Sequence, residues 1–259
     1  MEVLFVGDIV GRPGRTAFQR LVPEWRRDRG LDLVIANAEN AAGGRGPGPS
    51  IADALFEAGA DVLTLGDHAW DDREMIAHIA SERRILRPAN MPPGAPGRGD
   101  LRIDTPSGPV TVLSLIGRTF MGPNDCPFRA ADDALKEARA PARVRIVDFH
   151  AEATSEKIAM GRYLDGRAAA VCGTHTHVQT SDERVLPGGT ACITDVGMTG
   201  PRNSVLGREI EPVLEKFITH VPQRFGVAKG EAVLEAVRIT IDQATGRAEA
   251  IERIREIVS

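Results

Sequence analysis

The sequence predicts an α/β fold, and three observations carry that prediction. Short apolar runs alternate with amphipathic stretches from Glu2 to Arg83, a strand–helix–strand order that implies parallel pairing and right-handed crossovers. Strand-rich segments separated by tight turns follow in the middle and last thirds. Five of the apolar runs also end on a side chain able to ligate a metal. In parallel α/β sheets such residues gather along one edge, because the loops beyond the strand ends lie there.

Taken in order, Glu2–Gly7 reads as a strand ending at Asp8. Gly11-Arg12-Pro13-Gly14-Arg15 reads as a turn, with Pro13 suited to the first position of the next helix. That helix runs from Thr16 to about Arg29, with Phe18, Leu21, Val22 and Trp25 at helical spacing. Leu31–Ala36 is the second strand and delivers Asn37-Ala38-Glu39-Asn40. After a Gly/Pro loop at Ala41–Pro49, Ser50 is placed to cap a helix reaching Ala60. Val62–Leu65 is the third strand, leaving Gly66-Asp67-His68, and a helix spans Asp71 to Arg83.

Further on, Leu101–Asp104 and Val110–Ile116 flank Pro106-Ser107-Gly108-Pro109 as a hairpin. Met121–Pro127 reads as a loop and Asp132–Ala138 as a short helix. Arg143–Val147 is a strand ending at Asp148-Phe149-His150, followed by a helix over Ser155–Leu164. The last third predicts strands at Ala191–Thr194, Ala232–Ile241 and Ala248–Arg255, with a helix over Glu209–His220 between them.

Composition narrows the function classes. With 259 residues, 42% hydrophobic and 26% charged, the chain can bury a sizeable core. No repeat, low-complexity run or linker divides it, so residues 1–259 are read as one domain. A net charge of -4, with aromatics at 4%, argues against an extended nucleic-acid surface, whereas a small phosphorylated substrate is compatible. Cys126, Cys172 and Cys192 do not suit a disulfide framework and favour a reducing cytoplasm; Cys172 reads as a core residue. The N-terminus lacks the pattern of a signal peptide. No stretch is apolar over the ~18 residues needed to span a membrane.

The centre of the reading is Arg167–Gln179, an apolar strand that ends at Gly173 and releases His175 and His177. In extended chain, side chains two apart point to one side, so the pair is expected to aim at one point. Asp8, Glu39 with Asn40, Asp67 with His68, and His150 leave other strand ends in the same way. Singly, each has an ordinary explanation as a helix cap, a loop residue or a structural histidine. Together they supply about seven donors, too many for one tetrahedral site. Two metal ions, with Glu39 able to bridge through its two oxygens, use them naturally. Mixed oxygen and nitrogen ligation without cysteine points to iron, manganese or zinc rather than calcium.

Competing motifs are poor. Gly43-Gly44-Arg45-Gly46-Pro47-Gly48 lacks the Lys-Ser/Thr ending of a phosphate loop, and no Gly-x-Ser-x-Gly elbow occurs. Arg118, Arg162 and Arg202 are candidate anion contacts only.

Gly7-Asp8, Asn37-Ala38-Glu39-Asn40, Gly66-Asp67-His68, Asp148-Phe149-His150 and Gly173-Thr174-His175-Thr176-His177 resemble the calcineurin-like metallophosphoesterases, and most closely their bacterial YmdB-like branch. The likeness covers nearly the whole chain, including Gly7–Gly14 and Asp195–Pro201. It implies a four-layer sandwich of two face-to-face mixed sheets with helices outside. It also implies a di-iron or similar binuclear site, a homo-oligomer, and hydrolysis of 2′,3′-cyclic nucleotides to 3′-monophosphates. On this resemblance Asp8, Asn40 and His177 would hold one metal, Asp67, His150 and His175 the other, and Glu39 would bridge. His68 matches the histidine beside the leaving group.

Two departures stand out. Asp8-Ile9-Val10 lacks the histidine that the wider superfamily carries after its first strand, as does the YmdB-like branch. Asp67 stands where Gly-Asn-His is usual. Its added charge should tighten cation binding while making the bound water less acidic. Two alternatives to the phosphodiesterase remain from the residues. One is a metal-dependent binding or signalling module with weak catalysis; the other is a one-metal hydrolase of amides or amidines using the His175/His177 pair.

Overall fold

The computed structural model describes residues 1–137 and 142–258. The N-terminal apolar run forms β1 (Glu2–Val6), with the two-residue β2 (Asp8–Ile9) just beyond it. Then come α1 (Gly11–Asp28), β3 (Leu33–Asn37), α2 (Pro49–Glu57), β4 (Val62–Thr64), α3 (Arg73–Ser81) and β5 (Ile85–Leu86). The middle holds β6 (Asp100–Thr105), β7 (Gly108–Ile116), α4 (Pro127–Glu137), β8 (Val144–His150), α5 (Thr154–Tyr163) and β9 (Ala170–Thr174). The last part contains β10 (Arg184–Val185), β11 (Ala191–Ile193), β12 (Met198–Pro201), α6 (Ile210–Thr219), β13 (Ala232–Asp242) and β14 (Arg247–Val258).

The strands form two mixed sheets. One has eight strands in the order β2-β12-β13-β1-β3-β4-β5, with β14 also paired to β13. Here β1, β3, β4 and β5 are mutually parallel, as the strand–helix alternation requires. The other has six, in the order β10-β11-β9-β8-β7-β6. Its four inner strands are parallel, and the hairpin partner β6 and the short β10 are antiparallel edges.

Alternation along single strands shows how the layers stack. In β1, Val3 and Phe5 join the apolar cluster shared with Val112 of β7, Ile146 of β8 and Cys172 of β9. Leu4 and Val6 point the other way, to Phe18 of α1, Leu55 of α2 and Met75 of α3. On the second sheet, Leu115 and Phe149 turn outward to Ala131 of α4 and Met160 of α5. The order is therefore helices, sheet, sheet, helices. Strands covered on both faces need continuous apolar runs, which is why they read so clearly in the sequence. Among the described residues, no helix is long and apolar enough to cross a membrane.

Some boundaries differ from expectation. Helix α1 begins at Gly11 rather than Thr16, making Pro13 its third residue and not its first. Proline is tolerated there because first-turn N–H groups have no partner within the helix. Gly48, not Ser50, caps α2, and Pro49 takes its first position. Helix α4 starts at Pro127 rather than Asp132; its expected end at Ala138 lies outside the described residues.

Candidate metal centre

The sandwich brings the carboxyl ends of strands from both sheets to a common rim. The first sheet supplies Asp8 from β2, Glu39 and Asn40 just past β3, and Asp67 and His68 just past β4. The second supplies His150, the last residue of β8, and His175 and His177 past β9. All the expected ligands thus reach one place, in two groups that meet at Glu39.

In the first group, Nε2 of His150 lies 3.0 Å from Glu39 Oε1 and 3.3 Å from Asp67 Oδ1. His175 Nδ1 is 3.0 Å from the same His150 nitrogen. Glu39, Asp67, His150 and His175 each offer one ligand atom within 4.8 Å of the others, a spacing that could hold a metal ion. In the second group, His177 Nε2 lies 3.3 Å from Asn40 Nδ2 and 3.6 Å from Asp8 Oδ1. Asn40 Nδ2 also donates to Glu39 Oε1 at 3.1 Å. Glu39 Oε1 therefore touches a member of each group.

Two observations show that these side chains suit cations. Asp8 Oδ1 and Glu39 Oε2 are buried without a hydrogen-bond partner, a costly state for carboxylate oxygens that a cation relieves. Space is also kept open between the sheets. A Cβ on Gly66 would collide with Glu39 Oε2 and the His150 ring.

The titrating groups are strongly interdependent. Burial would raise the Asp8 carboxyl, but His177, His150 and the His175 N–H hold it well below the usual carboxylate range. At Asp67 the hydrogen bond with His150 outweighs desolvation and holds that carboxyl low as well. Despite burial, His150 is pushed up by Glu39 and Asp67, and His177 by Asp8. Burial and the adjacent His150 push His175 down. The carboxylates thus favour positive charge at His150 and His177, which a bound cation would supply in place of ring protons.

The approach of His175 and His177 departs from the extended-chain expectation. Strand β9 stops at Thr174, and both histidines adopt left-handed backbone, with φ of 98° and 62°. Their rings diverge: His175 joins His150 and Asp67, whereas His177 joins Asn40 and Asp8. Such non-glycine conformations cost about 1–3 kcal/mol each and need external support. Thr176, between them, supplies it. Its N–H and hydroxyl both donate to Asp195 Oδ2, at 3.0 and 2.6 Å, and buried Lys157 completes the clamp with a 2.8 Å ion pair to that oxygen.

Each histidine is also held at the ring nitrogen facing away from the cluster. His150 Nδ1 is 2.9 Å from Thr174 Oγ1, which donates to Asp148 at 2.7 Å. His177 Nδ1 faces the Leu206 carbonyl at 3.4 Å, and His175 Nε2 faces Glu152 Oε2 at 3.3 Å. Such partners fix which nitrogen remains available to a metal. Burial pushes the Asp148 carboxyl up to about 6. Asp148 was legible only as a strand-end residue, and Lys157, Glu152 and Leu206 carried no recognisable signal.

The cluster opens into a cavity of about 410 Å³ lined by Glu39, Asn40, His68, His175 and His177. His68 lies there with Nδ1 2.8 Å from Asp71 Oδ2. None of Arg118, Arg162 and Arg202 lines this cavity; Arg208 does, its guanidinium bonded to the Gly43 and Gly44 carbonyls at 2.8 and 2.9 Å. A larger cavity of about 780 Å³ beside Arg12 and Lys229 contains none of the expected ligands. Cys172 is buried and free, as its strand position implies.

Two face-to-face mixed sheets, with carboxylates, an amide and imidazoles gathered at their shared rim, define the metallophosphoesterase type of α/β sandwich. The chain belongs to the YmdB-like protein family, whose model matches residues 4–254. It is 47% identical over 254 residues to the Bacillus subtilis (strain 168) 2′,3′-cyclic-nucleotide 2′-phosphodiesterase, covering 98% of this chain and 96% of that one. A hypothetical protein from Thermus thermophilus superposes with a TM-score of 0.94 at 46% identity, over 100% of both chains. A novel phosphatase from Mycoplasma pneumoniae gives the same TM-score at 32% identity, over 100% of this chain and 94% of its own.

Proposed function

We propose that the protein is a binuclear-metal phosphodiesterase that opens 2′,3′-cyclic nucleotides to 3′-monophosphates. The observation that carries this reading is the position of Glu39, buried between two groups of donors and in contact with both. Asp8, Asn40 and His177 would hold one ion, Asp67, His150 and His175 the other, and Glu39 would bridge. Asn40 would turn its amide to present Oδ1, an exchange of O and N within one side-chain shape. Iron suits the donor set, with manganese or zinc as chemical alternatives.

Bound cations supply Lewis acidity toward the phosphate oxygens and the attacking water. The chain's own residues do the rest. Held by Asp71 through Nδ1, His68 lines the cavity with its Nε2 3.9 Å from Asp67 Oδ2. As water oxygen bonds to phosphorus and loses a proton to solvent, the bond from phosphorus to the ribose 2′ oxygen breaks and that oxygen takes a proton from His68, which solvent then restores. General-acid help of this kind is typically worth ~10²–10⁴-fold. The whole chain, 1–259, serves as one catalytic domain. Its setting is the reducing cytoplasm that three free cysteines favour. Exposed Leu214 and Val221 favour a homo-oligomer.

The test is hydrolysis of 2′,3′-cAMP and of bis(p-nitrophenyl) phosphate by metal-loaded protein. Metal-dependent release from both, abolished in His175→Ala, is expected. No metal-dependent release from either would refute the reading.

A further inference from the structure

The cavity beside the metal centre is lined by two kinds of side chain. Along with Glu39, His68 and His177 it has an apolar wall of Leu206, Val213, Phe217 and Phe225. Phe217 comes from α6 and is 76% exposed, and Leu206 is 48% exposed at a left-handed φ of 50°. Exposed apolar side chains facing an acidic, imidazole-rich rim need an apolar partner to become dry.

The occupant follows from continuity with the cluster. A phosphodiester seated on the donors must put its organic portion into the same 410 Å³ space, a volume within the range of small-ligand sites (~300–1,000 Å³). The other polar side chains lining it are already engaged. Arg208 is spent on the Gly43, Gly44 and Phe225 carbonyls, Thr176 on Asp195, and Glu152 on His175. Among the described residues, Leu206, Val213, Phe217 and Phe225 carry no hydrogen-bonding side chain with which to read the edge of a base. Aromatic and aliphatic surface remains, and every base can lie against such surface.

We infer that Phe217, with Leu206 beside it, forms a nucleobase subsite that holds the substrate by stacking and does not distinguish purines from pyrimidines. The inference rests on the phosphodiesterase reading for the seating of the phosphate. It adds the group recognised, the residue that recognises it and the absence of base choice.

The experiment compares wild-type protein with Phe217→Ala, Phe217→Trp and Ile218→Ala on 2′,3′-cAMP and 2′,3′-cCMP. Calorimetric binding of 3′-AMP and 3′-CMP, and sedimentation of each variant, accompany the kinetics. Ile218 is 79% exposed on the same helix but does not line the cavity, so it serves as the control. In Phe217→Ala, KM for both substrates should rise about 5–30-fold, the lower part of what losing a stacked base costs. Its kcat should change by less than about twofold, because only binding common to ground and transition states is removed. Phe217→Trp should restore KM, and Ile218→Ala should leave it unchanged with the oligomer intact.

An unchanged KM in Phe217→Ala overturns the inference. So does a loss confined to one base, an equal loss in Ile218→Ala, or a loss that follows a change of oligomeric state. The two readings fail separately. A wild type that binds 3′-AMP through Phe217 yet hydrolyses no cyclic nucleotide refutes the phosphodiesterase and leaves the subsite standing. Turnover that ignores Phe217 does the reverse.

Discussion

The His150 imidazole, wholly buried at the end of one sheet, sits 3.0 Å from the Glu39 carboxylate at the end of the other. This contact joins the two sheets at the proposed metal centre, and it gives Glu39→Gln a definite consequence. Changing one carboxylate oxygen to an amide removes a charged donor shared by both groups. Metal content should fall by at least about half, and phosphodiester turnover by more than about 100-fold, since even partners one shell outside a metal cost 10–100-fold. Metal analysis with assays at saturating added metal checks both.

Gly66 lies where a methyl group would strike Glu39 Oε2 and the His150 ring. Gly66→Ala should therefore cost metal binding far more than folding. The expected outcome is an intact far-UV spectrum with metal affinity reduced about tenfold or more, measured by competition with a chromogenic chelator. A variant that binds metal as the wild type does would show that the gap between the sheets has no bearing on the ions.

Lys157 and Asp195 are both buried and hold Thr176 between the two strained histidines. Removing one member of a buried pair strands the other's charge, at a cost of about 3–5 kcal/mol. Lys157→Met should lower Tm by about 6–20 °C, taking ~2–4 °C per kcal/mol for a chain of this size. Metal affinity should fall with it, because His175 and His177 lose their shared support.

Asp67 contributes a carboxylate 3.3 Å from His150 Nε2. Its charge lowers the effective positive charge of cations at the cluster. In Asp67→Asn that charge is gone, so the water used in hydrolysis should ionise more readily. The acidic limb of the pH–rate profile should move to lower pH, and metal affinity should fall at the same time. A limb that moves upward would contradict this assignment of Asp67.

Much of this arrangement was legible in the sequence because it rests on local pattern. β1, β3, β4, β8 and β9 are apolar runs buried on both faces, and each has an acidic or histidine side chain at its end or within three residues beyond it. The illegible parts depend on distant partners. β2 and β12 are short and pair in parallel through Met198↔Asp8 and Thr199↔Ile9, contacts that no local period encodes. His175 and His177 escape the extended-chain pattern because Asp195 and Lys157, far along the chain, hold that loop in left-handed backbone. Arg208 entered the cavity unannounced because its partners are the Gly43 and Gly44 carbonyls, far away in sequence.

Metal stoichiometry in protein purified without chelator bears most directly on whether two ions are held around Glu39. Two transition-metal ions per chain are expected, falling to one or fewer in His175→Ala. A single ion per chain in the wild type, unchanged when His177 is replaced by alanine, would contradict the binuclear centre.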